Sequence, residues 1–390
     1  MRLGEVGEII TGNTPSKKQD IFYNKRHINF FKPDDFDQNA ITDLTESKDF
    51  ISEEGSKYAR IAPSAAVLVT CIGTIGKVGI IEKEASFNQQ INAIVTNSAR
   101  IISKYLAYAI FKRKLLLERF TNAPVVPIIN KSQFSQFEIP LPPLPTQHKI
   151  VEILEEADNL RKLRRQADEK MNDLTPSLFV QMFGDPANNP KGWEVKKLKD
   201  VTLSVKNGLF KRPSEFGSGV PLINVVDLFA EYKVDMKKLD RVSVTQEELQ
   251  KYLIEDGDLF FCRSSLKKEG VAKCVVALDL KEPTVFECHT IMARLNKKAL
   301  NPLYASIYFN HPGVRTYTVN TSQTATMTTV GQKDILRQKI FLPPLPLQQE
   351  FAKLVEDIEA EKARQAESRK KLDELFQSLM QRAFTGELAA

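Results

Sequence analysis

At 390 residues with 42% apolar side chains, the chain is too long for one small domain and too apolar for a disordered segment; it holds material for two or three cores. A formal charge of +6 and a pI near 8.9 suit an acidic partner such as nucleic acid. The start, MRLGEVGEII, carries no secretory apolar core and no run reaches the roughly 18 apolar residues of a membrane span, so a cytoplasmic protein is expected.

Residues 1–145 mix short β-branched runs, AVLVTCIG at 66–73 and KVGII at 77–81, with one helical stretch, KYLAYAIFKRKLLLERF at 104–120. That mixture predicts an α+β domain. Gly73-Thr74-Ile75-Gly76-Lys77-Val78 is a shortened phosphate-loop pattern. No Ser or Thr follows Lys77, so it reads as a tight turn between strands.

Leu141-Pro142-Pro143-Leu144-Pro145-Thr146-Gln147 comes next, and a polar-centred helix follows it over 146–187. Its apolar positions, Ile150, Ile153, Leu154, Ala157, Leu160, then Met171, Leu174 and Leu178, are spaced by three and four. The middle, RKLRRQADEK, suits a thin coiled coil in solvent with docked apolar ends; an ordinary surface helix is the plainer alternative. LPPLP could serve as a polyproline ligand, but its place directly before a helix assigns it to ending a domain and setting the helix entry.

Residues 188–345 again mix strands, such as VAKCVVAL at 271–278, with one helical stretch, PLYASIYF at 302–309. The proline run then returns as Leu342-Pro343-Pro344-Leu345-Pro346-Leu347-Gln348, an offset of 201 residues (342 less 141). The offset holds without a gap through the helix of 346–390, placing Phe351, Leu354, Val355, Leu372, Leu375 and Leu379 on Ile150, Leu154 and their successors. Fainter echoes join the two domains. Ala66–Cys71 resembles Gly257–Cys262, and Phe87–Ile91 resembles Phe286–Thr290. The fold class is therefore α+β: two similar α+β domains joined by two long antiparallel coiled-coil helices in a pseudo-two-fold arrangement. A helix from Gln147 to Met182 spans about 54 Å, and an antiparallel partner returns Phe384 to Leu388 to the first domain.

Cys71, Cys262, Cys274 and Cys288 form no C-x-x-C pair and read as buried strand thiols. Cys274, Cys288 and His289 are the one local cluster, with a spacing that fits no standard zinc pattern.

The order domain, LPPLPxQ-helix, domain, LPPLPxQ-helix resembles the specificity subunits of type I restriction-modification systems over essentially the whole chain. IITGNTPSK, FNQQINAI, FGDPANNPKGWEVKKLKDV and AFTGEL are similar to that family's usual joints. The two halves differ at their starts, since Trp193 precedes the second and the first opens at Met1-Arg2-Leu3. The resemblance implies two target recognition domains, 1–145 and 188–345, on helical spacers 146–187 and 346–390. It implies a non-catalytic chain that reads a bipartite double-stranded DNA target. It also implies two methyltransferase subunits and restriction/translocase subunits as partners, which would carry S-adenosylmethionine, ATP and magnesium.

No Asn-Pro-Pro-aromatic motif, glycine-rich cofactor loop or nucleophile set occurs in the sequence. Asp227, Glu231 and Lys233 are the closest to a magnesium nuclease site; a free-standing two-headed DNA-binding regulator is the other alternative. Loops rich in amides, hydroxyls and cations are the expected DNA contacts. In the first domain these are Asn13, Thr14, Ser16, Lys17, Lys18, Thr74, Lys77, Gln89, Gln90, Asn130 and Lys131. In the second they are Asn207, Lys211, Arg212, Arg263, Ser264, Ser265, Lys267, Lys268 and His289. Lys112, Arg113 and Lys114 fit a helix end or a phosphate contact better than base reading. Ile150, Ile153, Leu154, Met171, Leu174 and Leu178, with their six copies from Phe351 to Leu379, are expected to pair the helices and seat partners.

Overall fold

The computed structural model describes residues 1–121, 126–265, 267, 270–321, 323–324 and 328–388, so Lys268 lies outside the described residues. Among them, no helix is long and apolar enough to cross a membrane. The principal helices are α1 (Ser103–Lys112), α2 (Leu144–Asn172), α3 (Leu174–Phe183), α4 (Pro302–Asn310) and α5 (Leu345–Thr385). Pro145 and Pro346 are the second residues of α2 and α5, where a missing N–H costs no helical bond. The single helix predicted from Gln147 to Met182 is interrupted at Asp173. Pro176 explains the break, because it cannot donate to the carbonyl of Asn172. Gln377 stands at the equivalent place in α5, which runs on unbroken.

Two compact units divide the chain: Met1–Gln166 with Ala366–Ala390, and Ala167–Gln365. Each unit takes in part of both long helices.

In unit 1 the strands are β1 (Gly7–Thr11), β2 (Ile28–Phe31), β3 (Thr42–Leu44), β4 (Asp49–Ile51), β5 (Ile61–Ala62), β6 (Val67–Thr70), β7 (Val78–Ile81), β8 (Ala85–Phe87) and β9 (Ile91–Thr96). They make a sheet of order β1-β9-β6-β7-β3 and a second of order β4-β2-β8-β5. Val67 and Val69 of β6 face one core with Tyr105, Leu106 and Ile110 of α1. Leu68 faces the other, with Phe31 and Phe87. A strand covered on both faces needs a continuous apolar run, which is why VLV shows no polar alternation. Ile150, Leu154 and Ala157 of α2 and Phe376, Met380 and Ala383 of α5 complete the first core. Burying each of the larger side chains among these stabilises by roughly 1.5–3 kcal/mol. The end of the second long helix does return to the first domain.

In unit 2 the principal strands are β10 (Thr202–Asn207), β11 (Phe216–Ile223), β12 (Asp240–Val242), β13 (Leu259–Cys262), β14 (Cys274–Val276), β15 (Val285–Phe286) and β16 (Thr290–Leu295). These strands form two sheets, β10-β16-β13-β14 and β12-β11-β15, beside smaller pairings such as Glu194–Lys197 with Lys339–Leu342. These orders repeat β1-β9-β6-β7 and β4-β2-β8, and the pairs β2·β8 and β11·β15 are both parallel. The two domains are therefore copies of one topology.

Register corrects one sequence echo. Ile91 faces Thr70 and its counterpart Thr290 faces Cys262, so Cys262 corresponds to Thr70, and Cys71 corresponds to Arg263. Strand side chains alternate, and a one-residue slip exchanges faces. Accordingly Cys71 packs with Val67 and Val69, and Cys262 packs on the opposite face with Phe260. Cys71, Cys262 and Cys274 are buried free thiols, but Cys288 is half-buried in the turn between β15 and β16 and is no strand thiol. Gly73 and Gly76 both take φ +76°, the left-handed region a tight turn demands.

Candidate nucleic-acid interface

In unit 1, Thr11 faces Asn92 and Thr70 faces Ile91, so β1 and β6 end where β9 begins. The segments 12–18, 71–77 and 88–90 consequently leave the sheet at one end. Backbone bonds lace them together. Gly12 N donates to Ile91 O (3.0 Å), Asn13 N to Phe87 O (3.1 Å), Cys71 N to Gln90 O (2.7 Å) and Ile129 N to Cys71 O (2.9 Å). A side chain at Gly12 would lie 2.3 Å from the carbonyl oxygens of Phe87 and Asn88, so only glycine allows this approach. Asn13, Thr14, Thr74, Gln89, Gln90 and Asn130 are thereby gathered on one edge.

Unit 2 repeats the construction. Leu209 N donates to Phe286 O, Arg263 N to His289 O and Val330 N to Arg263 O, each at 2.9 Å. A side chain at Gly208 would meet Phe286 O at 2.2 Å. Asn207, Arg263, Ser264, Ser265 and His289 fall on the matching edge.

Several predicted readers are occupied in holding these loops. Asn13 donates through Nδ2 to Tyr58 O (2.8 Å) and accepts from Arg60 N (2.7 Å). Lys77 Nζ donates to the carbonyls of Pro33 (2.9 Å) and Phe36 (3.2 Å). Lys211, with 5% of its side chain exposed, pairs with Glu215 (3.0 Å) and Glu248 (2.8 Å). Asn130 caps a short helix by accepting from Gln133 N (2.9 Å), and Asn207 accepts from Gln332 Nε2 (3.1 Å). Gln90 accepts from Asn88 Nδ2 (2.8 Å); Ser264 is buried. Arg263 is half-buried, with Nη1 donating to Cys288 O (3.3 Å). Ser265 accepts from Lys267 N (3.2 Å). Ser16, Lys17, Lys18, Thr74, Gln89, Lys131, Arg212, Lys267 and His289 are exposed. Thr14 donates to Gln89 Oε1 (2.7 Å), which leaves the Gln89 amide protons for an outside acceptor. Beyond the edge, Arg113 donates to Glu138 O (3.3 Å) and Lys114 to Gln38 O (3.4 Å).

The helix positions divide three ways. Ile150, Leu154, Phe351 and Val355 are buried; Ile153, Met171, Leu178, Leu372 and Leu379 are half-buried. Leu174, Leu354 and Leu375 are exposed. Near the C-terminal ends the bulkier neighbours Phe179 and Phe376 take the buried stripe, which turns Leu174 and Leu375 outward.

Sequence reading missed the work of the glutamine in each LPPLPxQ. Gln147 is fully buried; it accepts from Ile102 N (3.0 Å) and donates to Arg100 O (3.0 Å) and Pro142 O (2.8 Å). Gln348 makes the same clamp on Asn301 N (2.8 Å), Ala299 O (3.4 Å) and Pro343 O (2.7 Å). The repeat of Q at offset 201 was the available signal. A second device is the buried Arg161, which donates to Asp158 (2.9 Å) and Asp373 (2.7 Å) with its guanidinium 4.3 Å from the Phe376 ring centre. Lys362, at the same repeat position, pairs with Glu359 (2.9 Å) and Glu231 (3.0 Å).

The nuclease set is dispersed into structural bonds. Asp227 accepts from Asn224 N (2.7 Å), Glu231 pairs with Lys362, and Lys233 pairs with Asp279. Cys274 is buried in β14 and does not join Cys288 and His289. Glu287, Cys288 and His289 do offer ligand atoms within 4.8 Å of one another. Burial, then the Glu287 carboxylate, raises the Cys288 thiol to about 11 and keeps it protonated at neutral pH.

A family model described as the type I restriction modification DNA specificity domain matches residues 1–172 and again 190–374. The chain is 30% identical over 292 residues to the type I restriction enzyme EcoKI specificity subunit of Escherichia coli K12, covering 67% of this chain and 60% of that relative. It is 24% identical over 380 residues to the type I restriction enzyme MjaIX specificity subunit of Methanocaldococcus jannaschii, covering 92% and 85%. In fold it is similar to the type I restriction-modification S subunit from M. genitalium, with TM-score 0.59, 11% identity and coverage of 98% and 95%. A chain solved in work on complex assembly and conformational transition of the type I R-M system has TM-score 0.62, 19% identity and coverage of 99% and 97%.

Proposed function

Because this chain belongs to the type I restriction-modification DNA specificity family, we propose that each of its units reads one half of a bipartite DNA target. The observation that carries this reading is the repeated loop edge. Two domains of one topology gather equivalent loops at the same sheet end, held by equivalent backbone bonds, yet present different side chains there. A common frame with divergent contacts is what two readers of different half-sites require. The exposed cations Lys17, Lys18, Lys131, Arg212 and Lys267 suit phosphate positioning, a salt-dependent and sequence-independent contribution.

The chain supplies recognition and assembly, and chemistry falls to its partners. Two methyltransferase subunits would bring S-adenosylmethionine, and restriction/translocase subunits ATP and magnesium. Exposed Leu174, Leu354 and Leu375 are open to such partners. Exchanging residues 1–145 for the same segment of a relative, with its methyltransferase co-expressed, tests the reading by methylome sequencing. One half of the methylated motif is expected to change and the other to persist. A change in both halves would count against independent readers.

A further inference from the structure

Strand register places Phe210 of unit 2 where unit 1 has Thr14. Thr11 faces Asn92 and Asn207 faces Ile291. Gly12 and Gly208 then make the same close approach to neighbouring carbonyls. Asn13 N and Leu209 N next donate to Phe87 O and Phe286 O. Thr14 and Phe210 are the residues that follow. Counting on from Phe87 and Phe286, Gln89 corresponds to Cys288.

The two edges therefore differ in chemistry at one matched place. Unit 1 presents a hydrogen-bonded hydroxyl and amide, Thr14 and Gln89. Unit 2 presents a phenyl ring that is 72% exposed and a protonated thiol.

A single exposed apolar side chain on a surface needs no explanation by itself. Phe210 differs because it is held out from both sides. Leu209 before it is buried and bonded to Phe286 O. Lys211 after it is tied to the carboxylates of Glu215 and Glu248. The backbone between two such anchors has little slack, so the ring is presented to solvent at the edge where Arg263 and His289 also lie.

Resting on the specificity reading above, we propose that Phe210 reads the half-site of unit 2 through apolar contact with a nucleobase, where unit 1 uses the Thr14–Gln89 hydrogen-bonding pair. A duplex offers two apolar surfaces to such a ring. One is the C5-methyl group of thymine in the major groove, and the other is the base face exposed when a step opens. Unit 1 therefore selects at this place by donor and acceptor, and unit 2 by shape.

The test uses the full chain assembled with its methyltransferase, a duplex carrying its methylated target, and the same duplex with the half-site of unit 2 scrambled. Phe210→Ala is expected to bind the target 10- to 100-fold more weakly and the scrambled duplex as before, whereas Phe210→Leu keeps part of the preference. Because the ring is exposed, the thermal midpoint of F210A should match that of the parent. If the contact is the methyl group, replacing thymine by deoxyuridine weakens the parent and leaves F210A unmoved. If the ring enters the stack, 2-aminopurine in the half-site brightens on binding the parent and stays dark with F210A. Either arm supports the proposal. Undiminished discrimination by F210A overturns it, as does weakened assembly with the methyltransferase at unchanged DNA affinity. A parent complex that fails to prefer its target over the scrambled duplex sinks the specificity reading itself, a separate failure.

Discussion

Lys17 and Lys211 look alike in the sequence, since each is a cation in the loop that follows a matching sheet strand of its domain, β1 or β10. The structure separates them, because Lys17 is exposed and Lys211 is spent on two carboxylates. Lys17→Ala is expected to lower the slope of log affinity against log salt by about 1, whatever the DNA sequence. Lys211→Met is expected to leave that slope unchanged and to lower the urea midpoint of the protein. The Lys211 bond, then that from Thr245 N, holds the Glu248 carboxyl below its ordinary value; the Arg212 N bond, then Lys211, does so for Glu215. Folded-state values below the unfolded ones mean that this stabilisation is complete above the ordinary glutamate value of about 4.3 and fades as pH falls below it. Urea midpoints of parent and Lys211→Met should therefore converge towards pH 3. The loop positions were legible from residue type and placement, but which side chains are free was not. Glu248 lies 37 residues from Lys211, and Pro33 lies 44 from Lys77. Such partners follow from tertiary structure rather than local pattern.

At the scale of elements, the LPPLPxQ run starts a long helix and fastens it to the segment ahead of α1 or α4. Pro145 and Pro346 set the helix entry, while Gln147 and Gln348 satisfy the first free N–H ahead of α1 and α4. Gln348→Ala would strand the half-buried amide of Asn301 and the buried carbonyl of Pro343, at a cost of about 1–3 kcal/mol. The expected result is a lower urea midpoint with an unchanged slope; a shift under a few tenths of a kcal/mol would show that water replaces the amide. Gln147→Ala should behave alike in unit 1. The 201-residue repeat was plain because helix periodicity and proline are local signals. The strand echo was misread by one residue because short, fully buried strands show no alternation to fix their phase, and only pairing with β9 and β16 sets it. Likewise Leu174 and Phe179 both fit an apolar spacing, and the aromatic layer of Tyr304 and Phe351 decides which is covered.

For the whole molecule, the decisive point is where the chain passes from one unit to the other. It does so between Gln166 and Ala167 and again between Gln365 and Ala366, inside α2 and inside α5. Both crossings are helix, so length can be added there without touching either reading edge or either core. Four residues inserted at each crossing add about 6 Å of rise and little more than one full turn, which keeps the flanking apolar faces near their original phase. Base pairs rise by about 3.4 Å, so the spacer between the two half-sites should lengthen by about two pairs while both half-sites stay the same. Methylome sequencing of cells that carry this variant with its methyltransferase reads both quantities at once. Two unchanged half-sites at a longer interval would identify the helices as the ruler. Full methylation at the original interval would place the spacing elsewhere, in the partners or in the bending of the DNA.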